Sequence, residues 1–215
     1  MREPATRGRL LYHDRVEAPP QRMTFDEYLA FTAANPGSFE YVGGFTYAKG
    51  VPSRAHALIA GNIFGHLWSA ARGTGCRAYV EKASLKIGPD TFLPDVFVAC
   101  APPGEDNWET APCVVVEVLS PGTALVDRTV KRQAYTSLPS AEAYWIVSQD
   151  WRSVERHWRD AAGRWHLEHV DGDGAVAVPC PPRAPITLDE IYEGVTVPRV
   201  PPAPRRVREA EPVAT

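Results

Sequence analysis

The sequence predicts a mixed α/β domain with acids buried in its central strands, and three observations lead there. Helical and strand-like stretches follow one another in the order helix, hairpin, helix, strands, helix, strand along 215 residues, the layout of a layered α/β fold. A continuous apolar run, Pro112-Cys113-Val114-Val115-Val116-Glu117-Val118-Leu119, is cut short by Ser120-Pro121-Gly122, as expected of a strand buried on both faces. The helical stretch between this run and Ala143-Tyr144-Trp145-Ile146-Val147 is long enough for a crossover between parallel strands.

Thr24 begins the first helix as an N-cap, with Glu27 completing a capping box, and Asn35-Pro36-Gly37 ends it near Ala34. Phe39–Val42 and Phe45–Ala48 read as a hairpin turned by Gly43-Gly44. A second helix over about 53–72 carries Leu58, Ile59, Ile63, Leu67 and Trp68 as an apolar stripe, with His56 in its first turn. Strands follow at about 77–81, 84–87, 93–99 and 113–119, then a helix over about 124–138 stopped by Pro139, then the strand at 143–147. Val154–Arg159 and Arg164–His169 alternate apolar and polar residues, as an antiparallel extension of the sheet does. A short capped helix is expected at 187–192. The domain is expected over 22–196, with 1–21 as a flexible extension and the Pro-rich 197–215 as a disordered tail.

Composition narrows the function classes. The chain is 44% hydrophobic and 23% charged, ordinary for a soluble domain with a real core. No apolar window is long enough to span a membrane, and the first residues lack the core of a signal peptide. A cytoplasmic protein without membrane partners is the expectation. A net charge of −3 and a pI near 6.1 argue against a broad nucleic-acid footprint, leaving room for a local basic patch. Cys76, Cys100, Cys113 and Cys180 are widely separated without C-x-x-C spacing. Three sit in apolar strand-like contexts and read as small hydrophobes, and the spacing speaks against a zinc site built from the four.

The chemistry starts from Glu117, a carboxylate inside the most apolar stretch of the chain. A charge buried there must be protonated, ion-paired or metal-bound. Phe92-Leu93-Pro94-Asp95-Val96-Phe97-Val98 repeats the anomaly with Asp95 as its one charge. Either acid alone is equally an exposed strand end or half of a satisfied ion pair. Together they suggest neighbouring strands sharing one hard cation. Mg²⁺ suits such a site, because it takes one or two carboxylates, keeps several waters and leaves room for a phosphate. The Val118 carbonyl offers a further oxygen ligand. On the following helix Asp127, Lys131 and Tyr135 recur every four residues and share one face. They form either an ordinary surface pair or a face that delivers Lys131 to the metal site, where its ammonium would polarise an attacking water or stabilise charge on a phosphorane.

These residues in this order resemble the Uma-type restriction endonuclease family of bacteria, within the PD-(D/E)XK nuclease superfamily. The resemblance rests on Pro94-Asp95, Val116-Glu117-Val118-Leu119-Ser120, Asp127-x-x-x-Lys131-x-x-x-Tyr135 and Tyr144-Trp145-Ile146-Val147. It extends to Met23-Thr24-x-x-Glu27-Tyr28-Leu29, Phe39-Glu40 with Gly44, and Ser53-x-x-His56, covering about 23–193. It implies a restriction-endonuclease-like mixed β-sheet flanked by helices, with Mg²⁺ (Mn²⁺ as a substitute) held by Asp95 and Glu117. Glu40 would add an acid, and Lys131 would replace the superfamily's strand lysine, whose place is taken by Leu119. Gly43 and Phe45 stand where acids are usual. His56 would orient Glu40 or touch phosphate. The resemblance also implies a homodimer.

The expected activity is a metal-dependent endonuclease hydrolysing DNA phosphodiester bonds. Two rivals stay open: a nuclease-fold binding or regulatory protein, and a hydrolase of small phosphoesters.

Overall fold

The computed structural model describes residues 22–201. Helix α1 (Phe25–Ala34) starts at Thr24, whose hydroxyl accepts from the Glu27 N–H while the Glu27 carboxylate accepts from the Thr24 N–H. Strands β1 (Phe39–Val42) and β2 (Phe45–Ala48) form the hairpin. Its turn holds Gly43 and Gly44 at φ 61° and 86°, values that glycine takes without steric penalty. Helix α2 (Arg54–Ala71) is capped by the Ser53 hydroxyl and buries Ile59, Ile63 and Leu67 along one face.

Six strands come next: β3 (Arg77–Val80), β4 (Ser84–Ile87), β5 (Asp90–Phe92), β6 (Val96–Ala99), β7 (Trp108–Glu109) and β8 (Pro112–Val118). A helical run follows, Ala124–Val126 then a π-helical turn Asp127–Lys131 then Arg132–Thr136. The remaining strands are β9 (Ala143–Val147), β10 (Ser153–Arg159), β11 (Trp165–Asp171), β12 (Ala175–Val178) and β13 (Arg183–Thr187). Leu188–Ile191 closes the series as one helical turn with its own capping box.

The main sheet has the order β11-β10-β9-β8-β6-β3. Only its β8–β9 pair is parallel, with Val114 opposite Ala143 and Val118 opposite Val147. That is the expected crossover, and β10–β11 is the expected antiparallel extension. Every residue of β8 is buried, because both faces of the sheet are covered. On one face Val114, Val116 and Val118 join Ile59, Ile63 and Leu67 of α2 and the β12–β13 hairpin in the larger core. On the other, Val115 and Phe97 meet Tyr135, Tyr144 and Phe92. A five-stranded sheet, β2-β1-β5-β4-β7, supplies Phe92 and Leu85 to that second core.

Four expectations need correction. The run expected as one strand over 93–99 is broken at Leu93-Pro94-Asp95. Pro94 lacks an N–H and restricts the residue before it, so β5 ends in the smaller sheet and β6 starts in the larger. Strands β7, β12 and β13 carry too short or too irregular a pattern to announce themselves. The helix over 124–138 ends at Thr136 and contains a wide turn, in which the Arg132 N–H bonds to the Asp127 carbonyl. Finally, the cysteines are not free: Cys76 bonds to Cys100 and Cys113 to Cys180. Cys76–Cys100, 24 residues apart, joins the adjoining ends of the paired strands β3 and β6, whereas Cys113–Cys180, 67 residues apart, closes only once the β12–β13 hairpin packs onto the larger core.

Residues 1–21 and 202–215 lie outside the described residues. At 197–198, where the tail was expected to begin, Val197 packs on the larger core and the Pro198 carbonyl accepts from the Arg152 N–H at 2.9 Å. Among the described residues no helix is long and apolar enough to cross a membrane.

Candidate active site

Strands β6 and β8 are antiparallel with Val96 opposite Val116. One step further along the same register brings Asp95 opposite Glu117. Both carboxylates lie on the sheet face of Phe97 and Val115, beneath the helical run 124–136. Both are buried, as the apolar sequence context requires.

Asp95 is held from three sides. The Lys49 ammonium donates to Oδ1 at 3.0 Å, His56 Nε2 lies 3.1 Å from Oδ2, and the Val118 N–H donates to Oδ2 at 2.8 Å. Burial pushes the Asp95 carboxyl up, but His56, Lys49 and the Val118 N–H outweigh it, so its pKa lies well below the ordinary carboxylate range.

Glu117 faces a different set. Its Oε1 accepts from the Lys131 ammonium at 3.0 Å and from the Tyr135 hydroxyl at 2.8 Å. Burial is the strongest influence here. With Asp95 adding repulsion against the pull of Lys131, the carboxyl is pushed up to about 8. Lys131 in turn stands 3.0 Å from Glu40 Oε1 and 3.3 Å from Asp127 Oδ1. Burial disfavours its charge, but these three acids together raise its pKa far above that of an ordinary lysine. Asp127 is raised by burial against the same ammonium.

The two halves meet at Leu93, beside the Pro94 break. Its N–H donates to Glu40 Oε1 at 3.0 Å and its carbonyl accepts from Lys49 at 2.6 Å. The chain break therefore releases two backbone groups that hold the acid of β1 and the lysine after β2. On the helical run, the wide turn at Asp127–Lys131 buries both of its charged ends. Such turns often sit at functional sites.

The arrangement has a definite charge. Glu40, Asp95, Glu117 and Asp127 face Lys49 and Lys131, which leaves two negative charges in surplus when all six are ionised. An oxygen-rich, doubly negative site fits one divalent hard cation. Buried His56 Nδ1 also lacks a hydrogen-bond partner among the described residues. Glu117 on β8 and Asp95 at the entry to β6 are the residues that would hold the ion.

Of the residues singled out in the sequence, Asp95, Glu117, Lys131, Glu40 and His56 are brought into this one network. His56 stands against Asp95 rather than orienting Glu40. Val118 presents its N–H to Asp95, a different group from the carbonyl expected as a ligand. Lys49 was missed, because nothing in Ala48-Lys49-Gly50 sets it apart from a solvated lysine after a strand. Asp127 and Tyr135 were legible as one helix face with Lys131, but not as partners of a strand acid.

With the geometry in view, three comparisons bear on it. Residues 25–188 match the family described as "Uma2: Putative restriction endonuclease". "Uncharacterized protein slr1290" of Synechocystis sp. (strain ATCC 27184 / PCC 6803 / Kazusa) is 30% identical over 154 residues, 69% of this chain and 80% of that protein. The crystal structure of "a putative nuclease belonging to DUF820" from Anabaena variabilis ATCC 29413 superposes with a TM-score of 0.66 at 21% identity. That match covers 81% of this chain and 99% of the other, and it establishes a shared fold.

Proposed function

This chain belongs to the Uma2 family, and from that premise we propose that it is a Mg²⁺-dependent endonuclease hydrolysing DNA phosphodiester bonds, with Mn²⁺ as a substitute ion. The observation that carries the reading is the pair of buried acids facing each other, Glu117 on β8 and Asp95 at the entry to β6, inside a network with two surplus negative charges once all its groups are ionised. Asp95 and Glu117 would hold the ion, which when bound supplies Lewis-acid polarisation of phosphate and a water of lowered pKa. Lys49, His56 and the Val118 N–H keep Asp95 ionised and fixed. Tyr135 orients Glu117 by its 2.8 Å hydrogen bond. Lys131 places a permanent positive charge where a phosphorane would gather negative charge. Glu40 and Asp127 hold that ammonium in place from two sides.

The test is cleavage of plasmid, linear and single-stranded DNA and of RNA in Mg²⁺ or Mn²⁺. Wild type and Glu117→Ala are purified identically and run side by side. Cleavage of DNA by the wild type and its loss in a folded Glu117→Ala support the proposal. Equal cleavage by both refutes it, and cleavage of RNA alone moves the substrate class. The proposed working form is a cytoplasmic homodimer built on the domain 22–196, which sedimentation of the purified chain checks.

One observation favours a second reading. Both oxygens of Asp95 already have partners in Lys49, His56 and Val118, so the network is also stable as a closed set of ion pairs. A nuclease-fold binding protein without catalysis would keep it closed. Titration calorimetry with Mg²⁺ and Mn²⁺ separates the two, since only the enzyme reading requires a stoichiometric site.

A further inference from the structure

All four cysteines of the chain converge on one place, far from the acids. They arrive from four segments: Cys76 ahead of β3, Cys100 behind β6, Cys113 in β8 and Cys180 between β12 and β13. They are paired as Cys76–Cys100 and Cys113–Cys180, yet the two pairs are not separate staples. Cys100 Sγ lies 3.2 Å from Cys180 Sγ and 3.7 Å from Cys113 Sγ. The sulfurs of Cys76, Cys100 and Cys180 all fall within 4.8 Å of one another.

We propose that these four residues, once reduced, form a tetrathiolate zinc site that fastens the β12–β13 hairpin to the main sheet. A tetrahedral ion with Zn–S bonds of about 2.3 Å sets its sulfurs roughly 3.8 Å apart. The cross-pair distances are close to that already. The two bonded pairs must open, and the Cys113 sulfur, which lies outside the 4.8 Å group, must close on that of Cys76, each by a side-chain rotation. Two disulfides acting as independent clamps have no reason to bring their sulfurs into contact, whereas a four-sulfur ligand set does.

The surroundings suit the ion. Cys113 and Cys180 are buried in the larger core, among apolar side chains that fix their directions. Cys76 and Cys100 are half-buried, which leaves a path for a reductant and for the metal. Four thiolates around Zn²⁺ carry a net charge of −2. Arg77, next to Cys76, donates to the Ala101 carbonyl, next to Cys100, at 2.7 Å, so a guanidinium stands at the edge of the cluster. Softness favours zinc over the hard cations proposed for the acids.

The site is also independent of the acidic one. Asp95 precedes β6 and Cys100 follows it; Cys113 and Glu117 lie near opposite ends of β8. Strand rise puts the two centres roughly 13–16 Å apart.

The chemistry balances. Each disulfide takes two electrons and two protons from one dithiol, which closes into its own disulfide. The four thiols formed then lose four protons as they bind one Zn²⁺.

The experiment uses the full chain, reduced with dithiothreitol and desalted without oxygen. Co²⁺ is titrated in as the spectroscopic probe, then displaced by Zn²⁺. One Co²⁺ per chain with thiolate charge-transfer and tetrahedral visible bands, bleached by Zn²⁺, is expected. Cys76→Ser, the half-buried substitution and the one most tolerable to the fold, is expected to weaken those bands at least 10-fold in affinity, while Asp95→Asn leaves them unchanged. Four titratable thiols in a folded chain whose bound Co²⁺ shows no thiolate charge-transfer bands would overturn the proposal. So would Co²⁺ bands that survive Cys76→Ser or vanish with Asp95→Asn.

Discussion

The two ends of β8 solve opposite problems with the same strand. At one end Cys113 makes a cross-link that needs no charge and sits among valines and isoleucines. At the other, four residues on, Glu117 brings an ionisable carboxyl into an equally dry place, where Lys131 and Tyr135 donate to it. The first end joins distant parts of the chain and adds stability by restricting the unfolded state. The second gathers like charges, which burial makes expensive to hold together. Rigidity is made at one end and used at the other.

The sharpest way to break that contrast is to remove the ammonium at the acidic end. Lys131→Met leaves Glu40, Glu117 and Asp127 facing one another without their cation. A loss of about 3–5 kcal/mol in urea unfolding is expected. A loss under about 1 kcal/mol would mean that the acids are not a buried network.

Glu117→Gln keeps shape and removes one charge. DNA cleavage is expected to fall on the order of 100- to 1,000-fold, with the melting temperature held or raised. Wild-type rates in this variant would sink the catalytic assignment.

At the opposite end, reduction of both disulfides in the presence of a zinc-selective chelator that leaves Mg²⁺ in solution is expected to lower stability by about 2–4 kcal/mol for each bond. Cleavage per folded molecule should not change, since no cysteine touches the acids. A proportional fall in rate would show the two ends to be coupled.

The most gradual effect is a slope with pH in the metal-free protein. Folded, Glu117 keeps its proton up to about 8, whereas its ordinary value is 4.5. Between those limits the folded chain binds more protons than the unfolded one, so stability falls as pH rises, by at most about 1.4 kcal/mol per unit. Asp95 has the opposite sign. Its depressed pKa adds stability above the ordinary carboxylate range, which is lost only in strong acid. Melts between pH 5 and 8 test this (about three units are enough), and Glu117→Gln should flatten the curve.

Charges were the legible part of this molecule. Glu117 and Asp95 stand out because each is the one charge in an apolar run, and a carboxylate among valines has few ways to exist. Lys131 follows from its spacing to Asp127 and Tyr135 on one helical face. Lys49 escaped because its role comes from a bend: the break at Pro94 turns the Leu93 carbonyl and Asp95 towards it. The disulfides escaped for a different reason. A cysteine in an apolar strand looks the same whether free or bonded, and the partners lie up to 67 residues away. The parallel β8–β9 pair and the β10–β11 extension were visible in periodicity. Strand β7, with two residues, and the β12–β13 hairpin were not.

The wide turn at Asp127–Lys131 bears on chain length as well as on chemistry. Such a turn is a helix holding one residue more than its ladder of hydrogen bonds requires. Loss of a residue there, Val130 for instance, would let the run close as ordinary helix between the same two strands. The segments on either side would keep nearly the same facing, because only the spare residue is lost. Asp127 and Lys131 would then stand three apart instead of four, a spacing that still shares one helical face. A relative shorter by that single residue would keep both the architecture and the ammonium, and an alignment that placed the gap elsewhere would wrongly part Asp127 from Lys131.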